Sequence, residues 1–170
     1  MSRIIARALH RVCLGRPCRV IRSGDDGLYR IQVYLAHWRG WRLYLHRFLA
    51  SDGERRLHDN PFDGAALVLS GGYIEELLPS LGDVPRHRMR RWWNWVPGSK
   101  FHRVACVLPN TWTLFVHGPH RKLWGFLDPV ETDDDSPGWL YFNPFDQSDS
   151  GGAHWWVGAG VAVYPPAGVE

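Results

Sequence analysis

Short apolar runs, each closed by turn residues, recur along this chain at roughly ten-residue spacing, the pattern of a β-sandwich or barrel. Leu28–Ala36 alternates, with Ile31, Val33 and Leu35 on one face. Trp41–Leu49, Ala65–Ser70 and Tyr73–Leu78 follow, with Gly71-Gly72 as the turn between the last two. Arg88–Val96 reads as a basic and aromatic strand closed by Pro97-Gly98. Phe101–Leu108 and Thr111–His117 form an antiparallel pair about Pro109-Asn110, and Leu123–Leu127 adds a further short run. No βαβ alternation, P-loop or GxGxxG fingerprint is present, which excludes the common nucleotide-binding α/β classes.

The two ends differ from this middle. Residues 2–13 predict a short amphipathic helix: Ile4, Ile5, Ala8, Leu9 and Val12 recur at helical spacing beside an Arg3/Arg7/Arg11 stripe. Gly15 and Pro17 end it. Residues 1–22 hold all their charge as arginine, although the whole chain of 170 residues carries only +3. From residue 129 onward an acidic stretch, a Gly/Ser-rich segment and His154-Trp155-Trp156 read as an irregular extension that packs back or meets a neighbour. The expected organisation is a basic arm and helix over 1–22, a barrel over 23–128 and a C-terminal extension over 129–170.

Cys13, Cys18 and Cys106 fit no redox or zinc spacing and are expected as reduced, half-buried thiols in a cytoplasmic protein. No apolar run approaches the length of a membrane span. Arg86–Trp95 interleaves cations with rings, as single-stranded nucleic acid requires, which makes Arg88, Arg90 and Trp92 candidate contacts. Strand alternation favours packing on one face and solvent or a dimer partner on the other, against nucleic acid.

The segments richest in chemistry are Tyr44-Leu45-His46-Arg47, Leu57-His58-Asp59-Asn60-Pro61-Phe62, Gly71-Gly72-Tyr73 and Phe101-His102-Arg103. Together with Trp112-Thr113-Leu114, Gly118-Pro119 and Trp124-Gly125-Phe126, they resemble the cupins. The closer resemblance is to small bacterial and phage cupin-like proteins in which YLHR, LHDHPW, a Gly-Gly-Tyr turn and FHR occur in this order. It covers roughly residues 15–128.

The resemblance implies an all-β jelly-roll barrel, the double-stranded β-helix. It also implies a divalent transition metal (Fe, Mn, Ni or Zn) held at the mouth by histidines, with a homodimer as the expected assembly. On that basis His58 and His102 are the expected metal ligands and His46 the third. Asn60, Asp59 and Arg47 are candidates for a small-molecule ligand. The sequence departs from the family pattern where Asn60 replaces the second motif histidine and where Gly64 and Ala65 stand in place of a glutamate. Three readings follow: a metal-dependent enzyme with oxygenase-, isomerase- or decarboxylase-type chemistry, a non-catalytic small-ligand binder, and a phage accessory protein contacting nucleic acid.

Overall fold

A computed structural model describes residues 3–23, 27–52, 56–130 and 138–142. One helix, α1 (Arg3–Cys13), precedes twelve strands. These are β1 (Cys18–Ser23), β2 (Gly27–Trp38), β3 (Trp41–Phe48), β4 (Leu57–His58), β5 (Gly64–Ser70) and β6 (Tyr73–Leu78). They continue with β7 (Arg86–Arg90), β8 (Trp93–Val96), β9 (Phe101–Val107), β10 (Trp112–His117), β11 (Phe126–Val130) and β12 (Gly138–Phe142). The strands form two six-stranded sheets, β1-β2-β3-β10-β5-β8 and β12-β11-β4-β9-β6-β7, and every pairing is antiparallel.

The strand order identifies the architecture. Within the run β3 to β10, the first strand neighbours the last, the second the seventh, the third the sixth and the fourth the fifth. That nested pairing is a jelly roll. β1 and β2 extend one sheet and β11 and β12 the other. Residues 18–23, expected within a basic arm, are therefore part of a sheet, and residues 138–142 add an edge strand to what was expected to be an irregular tail. Glu131–Ser136 and the His154-Trp155-Trp156 segment lie outside the described residues.

Two turns fix the central register. Gly71 has φ 70° and Gly72 φ 146°. A Cβ on Gly71 would lie 2.4 Å from Thr111 Oγ1 and 2.8 Å from Thr111 Cα. The fully buried Thr111 hydroxyl accepts from the Gly72 N–H at 3.0 Å and sits 2.7 Å from the Gly72 and Leu108 carbonyl oxygens. Only glycine permits this contact between the β5–β6 and β9–β10 turns. The second device is a change of sheet. Residues 88–96, expected as one strand, break at Arg91-Trp92, so that β7 pairs with β6 and β8 with β5.

Alternation then sorts the side chains. α1 ends at Gly15 (φ 70°), and Arg16 Nε donates to the Val12 carbonyl at 2.8 Å. The helix packs on the back of the β1–β2–β3–β10 sheet. Cys13, Val33, Leu45 and Trp112 are buried there, with Leu9, Ile31, Leu35 and Leu69 against them. Burial pushes the Cys13 thiol up to about 11. On the back of the other sheet, Leu57, Leu78 and Leu127 pack with Phe101 and Trp139. Between the sheets, Tyr29, Phe48, Val68, Tyr73 and Val104 make one apolar cluster. Elsewhere the same space also takes in polar side chains, among them Gln32, His46, Glu75 and Asn94.

Candidate ligand site between the sheets

His58 and His102 are directly paired across β4 and β9. On antiparallel neighbours in register, both side chains leave the same face of the sheet. Their ring centroids are 5.2 Å apart, with Trp124 and Phe126 edge-on to His58. Burial, then the neighbouring His102 and Arg30, lower His58 to about 3, so its ring is neutral at physiological pH.

His102 is held at both nitrogens. Nδ1 lies 2.8 Å from Glu75 Oε1, and a carboxylate only accepts, so Nδ1 carries the proton. Nε2 lies 2.9 Å from Asn60 Nδ2, which donates to it. Glu75 is itself fully buried. It takes Arg90 at 2.6 Å, Lys100 at 2.8 Å and the Asn94 amide at 2.9 Å. Burial alone would raise its carboxyl, but the hydrogen bonds from His102, Lys100 and Asn94 outweigh burial and hold it well below the usual range. Asn94 also donates to the Tyr73 hydroxyl at 3.1 Å, and Lys100 donates to Asn94 Oδ1 at 3.2 Å.

Glu75, Asn94 and Lys100 were not among the residues expected at the site. The signal available was Glu75 itself: an acid on the same strand face as Tyr73 and Leu77, in a run whose alternation places that face inward. An acid there needs inward-facing donors.

The other expected residues lie apart. His46 is buried on β3 in the opposite sheet, stacked near Tyr44, Phe115 and Phe48. Among the described residues, no three His, Cys, Asp or Glu side chains are grouped to hold a metal ion. Asp59 is buried and accepts from Gly125 N–H at 2.8 Å and from Lys122, so it anchors the segment before β11. Arg47 follows His46 by one residue and therefore faces the other way. Its guanidinium lies 5.7 Å from the Trp112 ring centroid, on the side of the sheet that α1 covers. Arg88 and Trp92 are exposed, and Arg90 is turned inward onto Glu75. His117 is buried and stacked on Phe62 at 3.9 Å. Its cross-strand partner is Gly64, where a Cβ would lie 2.9 Å from the Val116 carbonyl oxygen and 3.0 Å from the Phe115 ring. Cys106, expected as a half-buried thiol, is exposed, and the register shifts between its partner Ile74 and Glu75.

A cleft of about 260 Å³ lies along the segment that follows Asn60. It is lined by Pro61, Phe62, Asp63, Gly98, Ser99, Arg121 and Lys122, and begins one residue after Asn60. A Cβ on Gly98 would lie 3.0 Å from the Asn60 and Phe62 carbonyl oxygens, so glycine lets the two loops meet. Gly98 N–H donates to Asp63 Oδ1 at 2.8 Å. Arg121 closes the rim with an ion pair to Asp63 at 3.1 Å.

No family model matches the sequence, and no curated protein matches it. Solved structures of similar shape exist. A putative mannose-6-phosphate isomerase from Ralstonia eutropha is 26% identical, over 59% of this chain and 91% of that one, with TM-score 0.44. Hydroxypropylphosphonic acid epoxidase from S. wedmorenis is 12% identical over 61% and 55%, with TM-score 0.44. Oxalate decarboxylase from Bacillus subtilis is 12% identical over 74% and 30%, with TM-score 0.47. The chain spans about half the length of the epoxidase.

Proposed function

We propose that this jelly roll binds a small organic molecule between its sheets, with His58, His102 and Asn60 as the recognition group and no resident catalytic metal. The observation that carries this reading is the state of His102. A metal-ligating imidazole needs a free lone pair, and the Nε2 lone pair of His102 already accepts from Asn60. The Glu75–His102 contact is of the kind that orients metal-bound histidines. The donor set it would serve is nevertheless incomplete, with His46 on the opposite sheet and Asn60 presenting its amide nitrogen. A tightly held divalent ion does not fit these residues.

What the residues present can do is recognise. His58 and Asn60 carry the polar groups for a ligand, and His102, bonded at both nitrogens, fixes Asn60 against the sheet wall. Glu75, anchored by two cations, keeps the His102 ring in one tautomer and orientation. The aromatic edges of Trp124 and Phe126 border His58 and give an apolar surface for a carbon skeleton.

The test is protein purified without an affinity tag, measured by elemental analysis and native mass spectrometry. The expected result is less than stoichiometric transition metal and a small bound organic mass that His58→Ala removes. Stoichiometric metal lost in His58→Ala would overturn the reading in favour of a metal-dependent enzyme.

A further inference from the structure

The wall opposite His58 and His102 holds two polar groups that their own surroundings leave unsatisfied. Arg30 and His46 lie on adjacent strands, where Arg30 pairs with Phe48 and Gln32 with His46. They are therefore diagonal neighbours on one face, with Cβ atoms roughly 7–8 Å apart, within reach of a long side chain. His46 is 3% exposed. Its Nε2 and the Arg30 Nε are both buried without a hydrogen-bond partner.

The charge around them is one-sided. The Arg30 guanidinium lies against two rings, 5.3 Å from the Tyr29 centroid and 5.7 Å from that of Phe48. Arg19, two positions along the neighbouring strand β1, donates to Gln32 Oε1 at 3.2 and 3.3 Å. The acid facing this space from the other sheet is Glu75, already taken by Arg90, Lys100 and His102. Arg30 is half-buried with its Nε sealed from solvent, and a buried donor left without an acceptor is costly. Orphaned buried polar atoms are few in native proteins, and each implies a missing partner. Here two of them, both able to donate, face one space.

We infer that Arg30 and His46 form an oxyanion subsite, which takes the carboxylate or phosphate group of the molecule bound between the sheets. The inference deepens the proposed function, on which it rests, by assigning that ligand a negative charge. Arg30 supplies the formal charge and His46 Nε2–H a directional donor. The Tyr29 and Phe48 rings fix the guanidinium against the strand, so little side-chain freedom is lost when the anion arrives. The terminal oxygens of the anion meet this wall, while the rest of the molecule faces His58, His102 and Asn60.

Thermal unfolding of the full chain in inorganic phosphate, sulfate or acetate, each against chloride at matched ionic strength, tests this. At ~10 mM, the preferred anion is expected to raise Tm by about 3 °C over chloride. A response to phosphate and sulfate marks a phosphate-bearing ligand, and a response to acetate a carboxylate. Arg30→Gln and His46→Phe should each abolish the increment. The second removes the orphan without opening a cavity, so it keeps the test valid if Arg30→Gln fails to fold. An increment unchanged in His46→Phe, or no anion exceeding chloride, overturns the inference. If a bound organic mass sensitive to His58→Ala persists in that case, the proposed function stands alone; if it is also absent, both fall.

Discussion

The two faces of the β2–β3–β10 sheet follow the same alternation to opposite ends. The back, under α1, gathers Cys13, Val33, Leu45 and Trp112 into a dry layer. The front, toward the second sheet, presents Arg30, Gln32, Tyr44 and His46, with Thr113 and His117 from β10. In a sandwich without a ligand, the front would be the apolar face. Here a helix covers the back, so stability does not depend on the space between the sheets alone, and that space can carry polar chemistry. The polar face then needs its own accounting, residue by residue, and Glu75 and its donors provide it on the opposite wall.

Removing Glu75 tests that division most severely. Glu75→Ala leaves Arg90 and Lys100 without their buried carboxylate and should cost about 4 kcal/mol in urea unfolding. A loss under about 1 kcal/mol would show the polar space to be as solvated as a surface. On the dry face, Leu45→Ala should cost about 3 kcal/mol by the same measurement and leave ligand binding unchanged.

Acid distinguishes the faces next. Burial, partly offset by the hydrogen bond to the Gly118 carbonyl, lowers His117 to about 4, against about 6.5 in the unfolded chain. Below pH 6.5 the unfolded chain binds the proton and the folded one does not. Stability therefore falls as pH drops from 6.5 toward 4, by about 1.5 kcal/mol per such histidine between pH 6.5 and 5. His117→Phe should flatten that limb in urea titrations, and an unchanged limb would deny the ring its neutral buried state. The smallest effect is expected from Arg47→Met, under about 1 kcal/mol with ligand affinity unaltered, since that side chain lies on Trp112 behind the sheet.

Much of the fold was legible. β6 occupies the expected Tyr73–Leu78, and β2, β3, β5, β9 and β10 fall within a few residues of expectation. Turn glycines and period-two alternation are local signals, which is why they sufficed. The break at Arg91-Trp92 was not legible, because a strand that changes sheets keeps its propensity while exchanging its partner. β4 was missed because two residues give no periodicity. At the site, the convergence of His58 and His102 was expected from the cupin resemblance, and the structure pairs them across β4 and β9. The position of His46 did not: a strand pattern says which residues share a face, not which wall of the barrel they line. Glu75 was hidden for the opposite reason, since an acid on an inward face reads as an error in the pattern until its donors, from β7, β8, β9 and the loop before β9, are brought together.

The brevity of β4 has a kinetic consequence. His58 rides on a strand held to β9 by a single residue pair and to β11 by two. Such a segment can detach while the long ladders of β2, β3 and β10 stay closed. Its amides should exchange with deuterium well ahead of those of β3, so the His58 side of the space between the sheets is the one that opens first.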